Sequence, residues 1–254
     1  MNVIGIIPAR MGSSRFPGKP MEEIHGMPMV GHCYHRTALA PGIDKAYVAT
    51  CDEVIYEYIL SIGGNAVMTA NTHTRATTRT AEALEKIEAL TSEKIDVVVM
   101  VQGDEPLILP ENIGDTIPHF QDQTVSIVNV MSILGSKEAF EDRNNVKVVV
   151  ASNNDALYYS REAIPSPWHG WEDLPRYMQT GVIAFRRQTL LDFNAMSETR
   201  LEQIESVDMN RVLETGGKIR MVLTKVTTIG VDVPEELAAA EAMLVGDEIL
   251  ARYI

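Results

Sequence analysis

Residues 3–20 read VIGIIPARMGSSRFPGKP, and the fold turns on what that stretch does. Val3 to Pro8 is an apolar run of strand length. From Arg10 onward the chain then supplies three cations (Arg10, Arg15 and Lys19), two hydroxyls (Ser13 and Ser14) and the glycines Gly12 and Gly18. A buried strand opening straight into such a loop offers backbone amides and positive charge at one place, which is what a polyphosphate needs. The spacing is neither GxxxxGK[ST] nor GxGxxG, so a P-loop is excluded and hydride chemistry is disfavoured. A nucleotide site of another type remains.

Outward from that stretch, strand-length apolar runs recur at Lys45–Thr50, Ala66–Thr69, Val97–Val101, Val125–Val130 and Lys147–Ala151. Between them Met29–Ala40, Glu53–Ile62 and Thr80–Leu90 carry apolar residues at helical spacing. Strands alternating with helices predict a doubly wound α/β fold on a mostly parallel sheet, with its ligand beyond the carboxyl ends of the strands. The alternation breaks between Ser160 and Arg176, where Pro165, Pro167, Trp168, Trp171 and Pro175 predict an irregular excursion. A strand over Thr180–Arg186, a helix from about Glu202 to Glu214, a strand over Ile219–Thr224 and an acidic helix from Pro234 should follow. No repeat or low-complexity linker interrupts the chain, so residues 1–254 are expected to form a single domain, with 160–215 as an acceptor-binding and dimerisation subregion.

Of the 254 residues, 45% are hydrophobic and 22% charged, enough apolar material for a substantial core. Thirty-five acidic against 22 basic residues leave a net charge of -13, which argues against nucleic acid or an anionic membrane as partner. An anionic ligand must therefore be held by a local basic cluster. No run approaches the ~20 apolar residues that span a bilayer, and the chain opens without a basic leader, so a cytoplasmic protein is expected. Cys33 and Cys51 form neither a disulfide framework nor a CxxC motif and read as buried thiols.

Two acidic residues stand at strand ends. Val97–Val101 runs into Gln102-Gly103-Asp104, and Ile229-Gly230-Val231 runs into Asp232 just before Pro234. Mg²⁺ takes one or two carboxylates and completes its shell with phosphate oxygens and water, a role open to Asp104 and Asp232. Asp232 reads equally as the cap of the helix beginning near Pro234, and the two uses are compatible.

Taken in order, IIPARMGSSRFPGKP, VQGDEPLI, NVKVVV, ALYYSREAIP, LEQIES and GVDVPEEL resemble the 3-deoxy-manno-octulosonate (KDO) cytidylyltransferases over nearly the whole chain. The resemblance implies a Rossmann-like, three-layer nucleotidyltransferase that transfers CMP from CTP to an acidic sugar and releases pyrophosphate. It further implies that Arg10, Ser13, Arg15 and Lys19 hold the triphosphate, that Asp104 and Asp232 hold Mg²⁺, and that Gln102 and Arg161 face the sugar acid. It implies a homodimer whose subunits meet near the excursion after Ser160. Independently of family, attack on an α-phosphate needs metal and cations at a charge-rich transition state, and no nucleophilic side chain. Lys19 suits a point charge on phosphate and Arg10 a planar fork.

The chain departs from that pattern on the acceptor side. A His-x-Ser-Gly-Thr-Asp-Arg run is represented by His73-Thr74-Arg75-Ala76-Thr77-Thr78-Arg79, and Lys-His-Ile-Gly-Ile-Tyr by Met178-Gln179-Thr180-Gly181-Val182-Ile183. A Glu-Gln pair aligns with Asp208-Met209. Arg75, Gln179 and Asp208 thereby become candidate acceptor contacts, the latter two able to make replacement hydrogen bonds. Three readings follow: CMP transfer to KDO or a close relative; the same chemistry on a modified ulosonic acid or a phosphonate, with Arg75 pairing extra charge; or a catalytically silent nucleotide-binding protein. His32 and His35 read as a packed helix face rather than a metal cluster. Cys51 reads as a loop thiol or a reactive one, and Trp168 and Trp171 as a ligand stack or an intersubunit contact.

Overall fold

The computed structural model describes residues 1–12, 16–171, 174–224, 230–231 and 233–254. Ser13, Arg15 and Asp232, three of the expected ligand contacts, lie outside the described residues. The contacts group the chain into two compact units, Met1–Asp115 with Thr228–Ile254, and Thr116–Thr227.

In the first unit, β1 (Val3–Ala9) leads to the short antiparallel pair β2 (Glu23–Ile24) and β3 (Met27–Pro28), then to α1 (Met29–Ala38), β4 (Lys45–Thr50), α2 (Glu53–Ser61), β5 (Ala66–Met68), α3 (Ala76–Thr91), β6 (Val97–Val101) and α4 (Pro110–Gly114). The strand runs are buried on both faces: Ile4, Ile6, Ile7, Val48, Val98 and Val99 are each at most 1% exposed, as strands covered by helices on both sides must be. β1 pairs in parallel with β4 on one side and β6 on the other, and β5 extends the sheet beyond β4. Strand order therefore reverses at the β1/β6 boundary, the topological switch point at which ligands of open α/β sheets bind.

The late helix α9, Pro234–Met243 in chain order, also belongs to this unit, and Ala240 and Leu244 join Ile24, Met29, Leu107 and Val231 in one buried cluster. Beyond it, Tyr253 locks onto α1. Its hydroxyl lies 2.9 Å from His32 Nδ1 and accepts from Arg36 Nε at 3.1 Å, while His32 Nε2 donates to the Ile24 carbonyl at 2.8 Å. His35 stacks on the Tyr253 ring at 4.9 Å, and buried Arg36 pairs with Asp247 at 2.9 Å. The helix-face reading of His32 and His35 holds. Burial keeps both imidazoles below their ordinary value of 6.5, for His32 against the raising effect of the Ile24 carbonyl. The unfolded chain takes up protons on these rings as pH falls through 6.5 and the folded chain resists, so their contribution to stability is complete above 6.5 and is lost below it. Melting temperature should thus decline between about pH 7 and pH 5, and His32→Gln should flatten that slope in a thermal-denaturation series.

The second unit contains β7 (Ile127–Ile133), α5 (Lys137–Glu141), β8 (Lys147–Val150), β9 (Ala156–Ser160), β10 (Tyr177–Arg186), α6 (Arg187–Ala195), α7 (Arg200–Glu205), α8 (Met209–Glu214) and β11 (Arg220–Leu223). Its sheet is mixed. β11 joins β7 in parallel, whereas β10 runs antiparallel to β7 and β8, and β9 antiparallel to β8. The single helix expected from Glu202 to Glu214 is two, because Ser206 at φ 53° closes α7 before α8 starts. As expected, the described residues between Arg161 and Arg176 form no helix or strand. The excursion is held by Arg176, which lies over the Phe140 and Trp171 rings (5.2 and 4.7 Å) and donates to the carbonyls of Gly170 and Trp171. Trp168 is 86% exposed.

Candidate active site

Because the strands of the first unit are parallel, their carboxyl ends open together. A cavity of about 300 Å³ lies there, walled by Pro8, Ala9 and Arg10 after β1, by Gln102, Gly103 and Asp104 after β6, by Lys19 and by the segment from His73 to Ala76. This is the strand-order switch point. Gly103 allows the two walls to meet, since a Cβ there would sit 3.0 Å from the Pro8 carbonyl.

The loop after β1 is closed by Gly18, at φ 80°, whose N–H donates to the Met11 carbonyl at 3.0 Å. That left-handed turn starts the short helical turn Lys19–Met21 and carries Lys19 inward, 8% exposed, where Nζ meets Asp104 Oδ2 at 2.9 Å. The two residues are 85 apart in sequence. The Asp104 carboxylate is 28% exposed. Its own carbonyl accepts from Val231 N at 2.8 Å, 127 residues further along the chain. Among the described residues no three His, Cys, Asp or Glu side chains converge as a metal cluster. The donor set is one hard carboxylate open to the cavity, which suits an oxygen-seeking cation that takes the rest of its shell from phosphate and water.

The far wall is cationic. Arg10 Nη1 donates to the His73 carbonyl at 3.3 Å, Arg75 precedes α3, and Arg79, 3% exposed, donates to Thr69 Oγ1 and to the Ala70 carbonyl. Arg79 also approaches the Cys51 sulfur at 3.5 Å, so that thiol is a contact of a cavity-lining guanidinium. Arg10 and Lys19, expected at the triphosphate, and Gln102 and Arg75, expected on the acceptor side, therefore line one cavity. Several further members were not foreseen. Asp52, following β4, accepts from Met11 N at 2.8 Å and ties down the start of the loop after β1. His73, Thr78 and Glu82 form a hydrogen-bonded chain beneath the wall. Asp52 stands at a strand end like Asp104, which was a usable signal; Glu82 reads locally only as a surface acid of α3.

The remaining acceptor-side candidates lie in the second unit. Arg161 spends its guanidinium on the carbonyls of Glu205 (2.9 Å) and Arg143 (3.0 Å), with Ser206 at 3.5 Å. Glu205 in turn accepts from Arg161 N, Ser160 Oγ and Tyr158 Oη, and these bonds hold its carboxyl low against the burial that would raise it. Gln179 sits where β10 bulges between Gln179 and Ile183, and its buried Oε1 has no hydrogen-bond partner among the described residues. Asp208 begins α8.

Comparison with known proteins agrees with this architecture. Residues 4–219 match the family model described as cytidylyltransferase. A 3-deoxy-manno-octulosonate cytidylyltransferase of Geobacter metallireducens is 41% identical over 93% of this chain and 95% of its own. An 8-amino-3,8-dideoxy-manno-octulosonate cytidylyltransferase of Shewanella baltica is 39% identical over 97% of this chain and 100% of its own. The solved structure of a CMP:2-keto-3-deoxy-manno-octonic acid synthetase complexed with CTP superposes with a TM-score of 0.89 at 32% identity, covering 97% of this chain and 100% of that one. The expected three-layer α/β fold with a mostly parallel sheet is the one shared with that structure. Agreement at this level along nearly the whole length places the chain in the 3-deoxy-manno-octulosonate cytidylyltransferase family.

Proposed function

We propose that this nucleotidyltransferase moves CMP from CTP to a hydroxyl of KDO or a KDO-like 3-deoxy-ulosonic acid, in a Mg²⁺-dependent reaction. The observation that carries this reading is the cavity at the β1/β6 switch point, in which Lys19 and Asp104 are paired beneath a wall of arginines. Arg10 and Lys19 hold the triphosphate, one as a fork and one as a point charge. Asp104, with Asp232, would hold Mg²⁺, which when bound neutralises the polyphosphate and the leaving group. The acceptor oxygen bonds to the α-phosphorus as the bond from that phosphorus to the bridging oxygen breaks. Pyrophosphate leaves with the electron pair, and the acceptor proton passes to water. No protein nucleophile takes part; the side chains bind, orient and balance charge.

The relatives favour an ulosonic acid over a phosphonate, since their names give 3-deoxy-manno-octulosonate and its 8-amino analogue as acceptors. Pyrophosphate release from CTP should therefore be robust with KDO or its 8-amino analogue and negligible with simple phosphonates. Turnover with a phosphonate alone would reverse this choice. A CTP- and Mg²⁺-dependent rise in melting temperature without pyrophosphate from any acceptor would point instead to the silent homologue. The paired Lys19 and Asp104 favour an active enzyme. The same reading makes the protein a cytoplasmic homodimer, with the exposed Trp168 and Leu174 of the excursion as partner surface; among the described residues no helix is long and apolar enough to cross a membrane.

A further inference from the structure

Beneath the arginine wall, the loop before α3 folds back on the first turns of that helix through one imidazole. His73 Nδ1 lies 3.0 Å from Thr78 Oγ1, and His73 Nε2 is hydrogen-bonded to Glu82 Oε2. Thr78 and Glu82 stand four apart on one face of α3, so both reach the same ring. The carbonyl of His73 meanwhile takes the hydrogen bond from Arg10 Nη1. The clamp that fixes the ring therefore also fixes the carbonyl that orients Arg10.

The Thr78 hydroxyl bridges the clamp, 3.0 Å from both the Arg75 carbonyl and His73 Nδ1. Glu82 accepts from Ala70 N through both oxygens (3.1 and 3.0 Å) and from Lys86 Nζ at 2.7 Å. Against the burial that would raise it, the hydrogen bonds from Lys86, His73 and Ala70 bring its carboxyl down to about 2, so it is ionised and accepts from all three. Both ring nitrogens are thereby engaged, Nε2 donating to the Glu82 carboxylate. Glu82 holds one side of that ring, and Arg10 bonds the carbonyl of the same residue.

We propose that Glu82 and Thr78 are positioning residues for nucleotide binding: they fix the His73 ring through its two nitrogens, and through the His73 carbonyl they aim Arg10 at the triphosphate. This rests on the assignment of Arg10 to the triphosphate given above. Neither residue touches substrate. Their effect is to keep a long, exposed guanidinium in its binding geometry before CTP arrives, which reduces the cost of ordering it.

Steady-state kinetics with CTP as the varied substrate test the proposal in Arg10→Ala, Glu82→Gln, Thr78→Val and Thr78→Ser. KM for CTP is expected to rise about tenfold in Glu82→Gln and Thr78→Val, with kcat within about twofold, as for loss of an interaction made equally in the ground and transition states. Thr78→Ser, which keeps the hydroxyl, restores most of the loss. Damage confined to folding would lower the amount of active enzyme and hence kcat, leaving KM unchanged. If Arg10→Ala raises KM while Glu82→Gln and Thr78→Val do not, the positioning role is wrong and the triphosphate assignment stands. If Arg10→Ala leaves KM unchanged, both fall.

Discussion

Replacing Asp104 by Asn is expected to reduce pyrophosphate release by on the order of 10³-fold or more while leaving the protein folded. The amide keeps the size of the carboxylate and can still accept from Lys19 Nζ, now 2.9 Å away. It removes the negative charge by which Asp104 is proposed to hold a hard cation and which balances Lys19 in a nearly buried position. Stability should change by only about 1 kcal/mol, because the carboxylate remains 28% exposed and water screens much of the pair. Pyrophosphate assays beside thermal denaturation separate the two effects. An Asn variant that turns over normally would remove the metal assignment and, with it, the proposed reaction.

The largest effect on stability is expected in the second unit. Glu202, fully buried, and Arg211, 4% exposed, form a two-point ion pair, with Arg211 Nε and Nη2 each 2.6 Å from the carboxylate. Arg211 Nη1 also donates to the carbonyls of Phe193 and Met196 at 3.0 Å, and the guanidinium lies 4.3 Å from the Phe193 ring centroid. The hydrogen bonds that Arg211 donates to Glu202 raise its pKa, outweighing the burial that opposes them. Arg211→Met should cost about 3–5 kcal/mol, since it leaves a carboxylate buried without its partner. Replacing both residues by apolar ones should recover much of that loss, because the desolvation penalty of the pair then disappears as well. Urea denaturation followed by tryptophan fluorescence reads this unit directly, as Trp168 and Trp171 both lie in it and are the chain's two tryptophans. Equal stability of Arg211→Met and wild type would mean that the pair contributes nothing net.

The alternation of buried strands and amphipathic helices was legible in residues 3–101 because each element there satisfies a local rule. Apolar runs of five to seven residues make covered parallel strands, and Asp104 stands where such a strand must end. The second unit was less legible. β9 contains Tyr158 and Ser160, whose polar groups bond to Glu205 across 47 and 45 residues, and no local pattern announces such a contact. The break between α7 and α8 turns on one left-handed residue, Ser206, within a stretch whose apolar spacing continues through it.

The sequence alone determined the order of the main strands and helices over residues 3–101, the basic loop that follows the first strand, and the residue types available for phosphate and cation, because periodicity and composition are local properties. Tertiary structure alone decided which charges face one another. Lys19 meets Asp104, and Arg10 meets the His73 carbonyl, only because parallel pairing of β6, β1, β4 and β5 brings their carboxyl ends to one edge. Distances of a few ångströms between residues 63 to 85 apart follow from strand order, and strand order is set by the packing of the whole core rather than by any segment of it.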